Sequence, residues 1–241
     1  MKPVIAANWK MNLSINEASQ LIHSLNPIIN SGDVTVIICP SACYLKTVAE
    51  QSPNVIVGAQ NISDYDNGAY TGEISAKMIK SCGAKSVIIG HSERRHVFNE
   101  TNEMIEKKIE LCNTYELMPI LCVGETLAQR NNDQVFTIIE DQLLVIESIK
   151  TKYMIAYEPV WAIGTGETAT PEIAQEVHRF IRKKVGDDVP ILYGGSVNSG
   201  NVDGLLQMQD INGALVGGAS LKVDEFTNII KSAESLERTP Q

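Results

Sequence analysis

The residues of this chain best suited to chemistry follow short apolar segments that lie far apart in the sequence. Asn8 ends the first of these segments and Lys10 follows it, His91 and Glu93 follow the fourth, and Glu158 ends the sixth. If they converge, a carboxylate, an imidazole and an ammonium group can serve as base, proton shuttle or electrophile, and charge stabiliser. Taken singly, each has a plainer interpretation: Lys10 as a solvated lysine, His91 as a structural histidine, and Glu158 as a strand cap.

Two glycine pairs at the ends of later apolar segments are suited to binding an anion. They stand as Gly194-Gly195-Ser196 and Gly217-Gly218-Ala219. No bulky side chain shields their amides, and each pair could precede a helix start, where amides and the helix dipole favour negative charge. The alternative is a tight turn that needs positive φ. Because they follow consecutive predicted strands, the two pairs together predict a phosphate site.

Residues 153–166 join an apolar run to a loop with two glycines. Pro159 cannot donate a hydrogen bond to a sheet, so the strand is predicted to end there. Gly164 and Gly166 would permit a mobile lid, whereas the alternative is an ordinary loop. Residues 164–169 formally fit the dinucleotide fingerprint G-x-G-x-x-A, but five residues separate them from the strand, which argues against nucleotide binding.

Eight short apolar segments, most of them rich in Val and Ile, are predicted to be parallel strands covered on both faces. They are Val4–Asn8, Val34–Cys39, Val55–Ala59, Ser86–Ile89, Met118–Val123, Met154–Glu158, Ile191–Tyr193 and Ala214–Val216. Eight strand–helix repeats in 241 residues predict an α/β fold, a (β/α)8 barrel with a single domain over residues 1–241. A doubly wound sheet of six or seven strands is the alternative. The tail from roughly residue 236 is predicted to be polar and frayed.

Helical patterns between the strands begin with recognisable caps. Ser14-Ile-Asn-Glu17 is a capping box, and Thr170 precedes a first-turn proline. The helix after Thr170 is predicted to bury a stripe of apolar residues at four-residue spacing. That stripe consists of Ile173, Val177, Ile181 and Val185. His23 and His178, which lie on helical patterns, are predicted to be exposed.

Composition and charge argue against several classes of protein. The hydrophobic fraction of 44% and charged fraction of 20% are typical of a soluble globular protein. No apolar run is long enough for a membrane helix, and the N-terminus lacks the features of a signal peptide. The net charge of −9 disfavours nucleic acid as a partner. Five cysteines without a C-x-x-C pair argue against a disulfide framework or zinc site, so a cytoplasmic location is expected.

Eight motifs occur in order from the first ten residues to the last predicted strand. They are Ala7-Asn-Trp-Lys-Met-Asn12, Gly58-Ala-Gln-Asn61, Gly68-Ala-Tyr-Thr-Gly-Glu73, Ile89-Gly-His-Ser-Glu-Arg-Arg95, Leu121-Cys-Val-Gly-Glu125, residues 156–166, Tyr193-Gly-Gly-Ser-Val197 and Leu215-Val-Gly-Gly-Ala-Ser220. In type and order they resemble the triosephosphate isomerase family. The resemblance implies an isomerase of glycolysis and gluconeogenesis that interconverts dihydroxyacetone phosphate and D-glyceraldehyde 3-phosphate, with no cofactor and no metal.

The resemblance also implies a role for each candidate residue. Glu158 matches the base that moves a proton between two carbons through an enediolate. His91 matches a neutral electrophile whose pKa is lowered by a helix N-terminus, and the family is itself the standard example of that effect. Lys10 matches the cation beside the enediolate, and Asn8 matches the polar neighbour of that cation in the substrate site. Glu93 matches an acid that lies next to these residues and does not itself contact the substrate. The amides that hold the phosphate are implied at Gly164, Ser196, Gly217 and Gly218.

A closing lid and a dimer are implied as well. The lid has a first hinge, a tip and a second hinge. The first hinge is Pro159, Val160 and Trp161. The tip is Ala162, Ile163, Gly164, Thr165 and Gly166, and the second hinge is Glu167, Thr168 and Ala169. Many relatives carry lysine where this chain has Glu167, which we expect to face solvent. Residues 68–73 resemble the loop that places Thr71 near the partner's site, so a homodimer is expected.

Two other functions remain open on the residues. Lys10 could form a Schiff base in a different phosphate-binding barrel, such as an aldolase. The protein could also be a non-catalytic binder of a phosphate metabolite. The set of Glu158, His91 and Lys10 disfavours this second function, because a binder has no use for a base.

Overall fold

Eight strands organise the chain in the computed structural model, which describes residues 1–29, 33–163 and 168–236. They are β1 (Val4–Asn8), β2 (Thr35–Cys39), β3 (Ile56–Ala59), β4 (Ser86–Ile89), β5 (Met118–Val123), β6 (Met154–Tyr157), β7 (Ile191–Tyr193) and β8 (Gly213–Val216). Each agrees with its predicted bounds to within one residue. The prediction succeeded because strands covered on both faces appear in the sequence as short apolar runs.

The strands form a closed barrel in which every neighbouring pair is parallel. Closure is made by β8 against β1, where Val4 pairs with Gly213 and Ala7 with Val216. This register confirms the predicted (β/α)8 barrel, since a doubly wound sheet would leave two open edges. The carboxyl ends of all eight strands therefore meet at one face of the barrel.

Helices follow the strands and cover the barrel. They are α1 (Ile15–Ile29), α2 (Leu45–Gln51), α3 (Ala76–Ser81), α4 (Ser92–Val97), α5 (Asn102–Thr114), α6 (Leu127–Asn131), α7 (Val135–Leu143), α8 (Pro171–Val185), α9 (Val202–Leu206) and α10 (Val223–Glu234). Both predicted caps are confirmed. The Ser14 amide donates to Glu17 Oε2 at 2.7 Å, and Thr170 Oγ1 accepts from the Ile173 amide at 3.3 Å. None of the described helices has the length and hydropathy that a membrane span requires.

Alternation along each strand divides the core into two apolar clusters. Val4 and Ala6 of β1 point into the barrel, where they join side chains such as Ile37 and Leu192. Ile5 and Ala7 belong to the larger cluster between the strands and the helices. Both faces of a strand are therefore apolar, which explains why the strands show little alternation of apolar and polar residues.

His178 corrects one prediction. It was expected to be exposed but is fully buried on α8, beside Val177 and Ile181 of the predicted stripe. Its Nδ1 lies 2.8 Å from the Ala174 carbonyl oxygen, and its ring meets Tyr157 edge-on. These contacts allow a polar ring to occupy an apolar face, and burial lowers the pKa of His178 from 6.5 to about 4.

We predict that His178 makes the protein less stable as the pH falls from 6.5 to about 4. In that window the unfolded chain binds a proton that the folded chain does not, so the free energy of unfolding decreases. The shift in pKa corresponds to a loss of about 3 kcal/mol in the free energy of unfolding. The loss is absent when the pH is well above the unfolded-state pKa and complete when the pH is below the folded-state pKa. Urea unfolding from pH 7.5 to 4.5 should show a weaker pH dependence for His178→Phe than for the parent. The exposed His23→Gln is the control, and equal slopes in parent and His178→Phe would contradict the prediction.

Candidate active site

A cavity of about 420 Å³ opens at the carboxyl end of the barrel. Its lining residues come from the ends of five strands and the loops after them, and from Ile163 of the predicted lid tip. They include Asn8, Lys10, Asn12, His91, Glu158, Ile163, Gly194, Gly195, Ser196, Gly217 and Gly218. Most of the predicted site residues are therefore brought together. A groove of about 520 Å³ at α1 and the end of α2 contains none of them.

The carboxylate of Glu158 is buried at the end of β6, where it is held by two polar contacts. Its Oε1 lies 3.0 Å from His91 Nε2, and its Oε2 accepts from the Ser92 amide at 2.8 Å. Burial raises the pKa of Glu158, but His91, the Ser92 amide and Lys10 lower it more. The net shift is downward, so Glu158 is ionised near neutral pH and can accept a proton.

His91 sits at the start of α4, between two different partners. Its Nδ1 accepts from the Glu93 amide at 3.2 Å, which leaves Nε2 to carry the proton that faces Glu158. Burial lowers the pKa of His91, but the carboxylates of Glu158 and Glu93 raise it further, so the net shift is upward. The expected lowering is thus not found in this arrangement, because Glu158 rests against the imidazole. The part of this rise that Glu158 causes depends on the contact between the two side chains.

We predict that Glu158→Gln lowers the pKa of His91 relative to the parent protein. The substitution removes the charge that contributes most to raising this pKa, while burial and Lys10 continue to lower it. NMR titration of the histidine Cε1 resonances measures the midpoint directly. Glu50→Gln, at an exposed position on α2, is the control and should leave the midpoint unchanged. A His91 midpoint that does not fall in Glu158→Gln would contradict the prediction.

Lys10 reaches the cavity from a strained backbone position after β1. Its φ is 52°, in the left-handed region, and its carbonyl oxygen accepts from Gln60 Nε2 at 2.8 Å. Its amide donates to Asn8 Oδ1 at 3.1 Å, and its Nζ contacts Glu93 Oε1 at 2.5 Å. Glu93 therefore holds the Lys10 ammonium group, and Asn8 holds the backbone amide of Lys10. Gln60 lies in one of the quoted motifs, but nothing in the motif predicts its contact with Lys10.

The two glycine pairs differ in their surroundings. Gly217 and Gly218 line the cavity, and a Cβ on Gly217 would lie 3.5 Å from Lys10 Cε, whereas one on Gly218 would meet nothing within 4 Å. Gly194 is packed more closely, because a Cβ there would lie 2.9 Å from Glu158 Cγ. None of the three has positive φ, so the tight-turn alternative does not explain them. Gly194 instead allows the backbone to pack against Glu158, whereas Gly217 and Gly218 leave space beside the backbone in the cavity.

Ser196 differs from its expected state. Its amide and its hydroxyl both donate to the Ala162 carbonyl oxygen, at 3.1 Å and 2.6 Å. The amide is therefore used by the predicted lid rather than left open to a ligand. The helix after β7 begins only at Val202, so this glycine pair does not sit at a helix start. A short 3₁₀ turn, Gly218–Leu221, does follow the other pair.

The first hinge of the predicted lid is fastened to the loop after β5. Trp161 Nε1 donates to Glu125 Oε1 at 2.8 Å, and the Val160 amide donates to the Glu125 carbonyl oxygen at 3.1 Å. Arg130 Nε donates to the same Glu125 oxygen at 2.9 Å, and its guanidinium lies over the Trp161 ring. Glu125 is fully buried, and apart from its place in one of the motifs no feature of the sequence predicts this network.

Several other predicted residues either fall outside the described residues or do not line the cavity. Gly164, Thr165, Gly166 and Glu167 are outside the described residues. Thr168 and Ala169 are described and lead into α8. Thr71 is exposed in the segment between β3 and α3 and does not line the cavity. Of the predicted polar tail, only Leu236 is described.

Comparison with known proteins decides the family. The sequence profile of triosephosphate isomerase matches residues 3–233. The chain belongs to the triosephosphate isomerase family. Triosephosphate isomerase of Endomicrobium trichonymphae is 45% identical over 246 residues, covering 95% of this chain and 98% of the relative. That of Clostridium botulinum (strain Loch Maree / Type A3) is 44% identical, covering 94% and 98%. That of Shewanella sp. (strain MR-4) is 42% identical, covering 97% and 98%.

Membership of the triosephosphate isomerase family confirms the resemblance drawn from the motifs. The match runs along nearly the whole barrel, so it includes the strand ends that form the cavity.

Proposed function

We propose that this protein interconverts dihydroxyacetone phosphate and D-glyceraldehyde 3-phosphate by proton transfer through an enediolate. As a member of its family it is an intramolecular aldose–ketose isomerase. The observation that best supports the mechanism is the buried, ionised Glu158 beside His91 in a cavity that Lys10 also lines. A carboxylate, an imidazole and a cation at one cavity are the groups that moving a proton next to a carbonyl requires.

In the proposed reaction, Glu158 removes a proton from the carbon next to the substrate carbonyl. The electrons of that C–H bond form the C=C bond of the enediolate, and the carbonyl oxygen takes up the negative charge. The same carboxyl group returns the proton to the former carbonyl carbon. The hydroxyl proton on the first carbon passes to the former carbonyl oxygen, and the first carbon becomes the new carbonyl. Glu158 must first exchange its contact with the Ser92 amide for the substrate. The Nε2–H of a neutral His91 then donates to the substrate oxygens, and the contact of the Glu93 amide with Nδ1 favours that tautomer.

The remaining groups stabilise charge and hold the substrate. The Lys10 ammonium lies beside the developing oxyanion, and Asn8 holds the Lys10 amide and lines the same wall. Gly217 and Gly218 offer backbone to the phosphate next to Lys10. Ser196 joins them only when its amide leaves the Ala162 carbonyl oxygen, so phosphate binding is coupled to residues of the lid.

We further propose that residues 159–169 close over the bound substrate. Closure would exclude water, which strengthens the charge interactions and protects the enediolate from losing phosphate. The bonds from Trp161 and Val160 to Glu125 tie the first hinge in its present position. Gly164 is the proposed phosphate ligand at the tip, and Glu167 is proposed to face solvent.

The test of the proposed function is an isomerisation assay on the purified protein in both directions. Solvent deuterium should enter the carbon-bound positions of the triose phosphate during turnover, because Glu158 exchanges its proton with water. Borohydride added with substrate should trap no adduct on Lys10, whereas an aldolase would give a covalent amine. Absence of isomerisation, or a trapped adduct, would overturn the proposal.

We also propose that the protein is a homodimer. Large exposed apolar side chains are concentrated, among the described residues, on the segments that follow β1, β3 and β4. They are Met11, Tyr65, Tyr70, Ile74, Met78, Val97 and Phe98. Met11 is 96% exposed, and apolar surface of this kind supports a protein interface. Thr71 lies in the middle segment and would approach the partner's cavity.

Met11→Glu is predicted to convert the dimer into monomers. A charge at the centre of an apolar interface would lose its hydration without gaining a partner. Sedimentation velocity at micromolar concentration measures the change. Leu144→Glu is the matched control, because Leu144 is also exposed but lies at the end of α7. A parent protein that sediments as a monomer, or a Met11→Glu variant that stays dimeric, would contradict the prediction.

Two broader expectations accompany this function. We infer that residues 1–241 form one domain, because the barrel uses strands from Val4 to Val216 and α10 packs back onto β1 and α1. We also propose that the enzyme acts in the cytoplasm, in glycolysis and gluconeogenesis, with triose phosphates as its substrates and neither metal nor cofactor. Cell fractionation followed by the isomerisation assay tests the location.

A further inference from the structure

Gln142 is a buried polar residue that the site described above does not include. It lies on the inner face of α7, where the other buried residues are the apolar Val135, Ile139 and Leu143. Its side-chain amide is buried with them and bonds twice to one residue. The Gly124 amide donates to Gln142 Oε1 at 2.7 Å, and Gln142 Nε2 donates to the Gly124 carbonyl oxygen at 3.1 Å.

Gly124 is the first residue after β5 and lies directly against the candidate base. A Cβ on Gly124 would come within 1.7 Å of the Glu158 carbonyl oxygen, so the two backbones are in the closest contact that glycine allows. The residues on either side of Gly124 also hold the segment that carries the base. The Glu158 amide donates to the Val123 carbonyl oxygen at 2.8 Å, and the Val160 amide donates to the Glu125 carbonyl oxygen at 3.1 Å.

The bonds of Gln142 fix the direction of these carbonyl groups. In a trans peptide the N–H and C=O groups point in opposite directions. When Gln142 Oε1 holds the Gly124 N–H from the helix side, the Val123 carbonyl is turned toward the Glu158 amide. A second bond to the Gly124 carbonyl prevents the next peptide from rotating.

We propose that Gln142 is a positioning residue for the isomerisation, which holds Glu158 and the first lid hinge in register through the backbone of Gly124. This inference depends on the proposed function, because it assigns Glu158 as the base. An apolar side chain of similar length would fill the same volume in the core, so the amide is explained by its two bonds. Small displacements of a reacting group are costly, since about 1 Å of misplacement can reduce a rate 100-fold.

The proposal separates turnover from substrate binding. Gln142→Met keeps the length of the side chain and removes both bonds. We expect kcat to fall about 10- to 100-fold and KM to change less than about threefold, because the Gln142 side chain bonds to Gly124 and to none of the described residues proposed to hold the phosphate. Leu143→Met, at the adjacent buried position of α7, is the matched control and should keep the kcat of the parent.

Gln142→Glu provides a second readout that a role in packing alone would not produce. The introduced carboxyl group keeps an acceptor for the Gly124 amide, but when ionised it repels the Gly124 carbonyl oxygen. When protonated it can donate to that oxygen, so the variant-to-parent ratio of kcat should rise as the pH falls from 8 to 5. Taking the ratio at each pH cancels the titration of Glu158 and His91, which both proteins share.

The outcomes distinguish this inference from the proposed function. If the parent does not isomerise triose phosphates, the proposed function is wrong, and the inference about Gln142 is overturned with it. If the parent is active and folded Gln142→Met turns over within about twofold of it, Gln142 does not position the base. A pH-independent ratio for Gln142→Glu would overturn the inference in the same way, and this holds even if Gln142→Met fails to fold.

Discussion

Glu158→Gln is expected to keep the fold and to lower kcat by at least the roughly 10²–10⁴-fold that positioned acid–base groups contribute. Glutamine has nearly the same shape as glutamate and can still accept from the Ser92 amide, which Glu158 Oε2 does at 2.8 Å. It cannot accept a proton from carbon near neutral pH. The loss should therefore appear in kcat rather than in KM, and deuterium exchange into the substrate should stop together with turnover.

Two controls separate chemistry from folding in this experiment. Circular dichroism should show an unchanged spectrum, because glutamine fills the same buried space and keeps the bond from the Ser92 amide. Glu50→Gln, which removes an exposed glutamate from the surface pair with Lys46, should have the turnover of the parent. Turnover of Glu158→Gln near that of the parent would mean that another group is the base.

The barrel could be predicted from the sequence because its strands are apolar on both faces. Residues such as Ile5 and Ala6 face different clusters, yet both positions exclude polar groups, so each strand appears as an uninterrupted run. Closure could not be predicted in the same way. It depends on the register of Val4 with Gly213, and the pattern along one strand contains no information about its neighbour.

The candidate site was predictable for residues at the ends of strands, but not for residues on the helices that surround the barrel. Lys10, His91 and Glu158 were found because each is a charged or titratable residue just after an apolar run. Gln142 could not be found, because it lies on a helix and acts through the backbone of a glycine. His178 was misjudged for a related reason. A histidine on a helix is predicted to be exposed unless a carbonyl oxygen that can accept a hydrogen bond from its ring is known.

The pKa of His91 shows that a residue's role and its resting state can differ. The resemblance implied a histidine kept neutral by a helix N-terminus, and α4 does begin beside it. In this structure Glu158 rests on the imidazole, and that contact outweighs the effects that lower the pKa. In the proposed mechanism, one movement would produce both the neutral electrophile and the free base, because the substrate would separate Glu158 from His91.

Gly124→Ala is expected to have the largest effect on stability among the substitutions considered. The added Cβ would lie 1.7 Å from the carbonyl oxygen and 2.7 Å from the carbonyl carbon of Glu158. Both are backbone atoms, so no rotamer change relieves the overlap, and β5 and β6 must move apart. Overpacking typically costs about 1–3 kcal/mol, and here the shift also strains the two bonds from Gln142. We expect a loss of about 3 kcal/mol, which for a chain of this size lowers Tm by about 6–12 °C.

The same substitution should reduce kcat, because the overlap displaces the backbone of Glu158. Differential scanning calorimetry and steady-state kinetics measure the two effects on one preparation. Gly218→Ala is the control for stability, since a Cβ at Gly218 meets nothing within 4 Å, and its Tm should stay near that of the parent. A Gly124→Ala protein with the Tm and kcat of the parent would show that β5 and β6 can separate without moving the base. Glu158 would then be held by His91 and Ser92 alone, and the contact with Gly124 would have no part in positioning it.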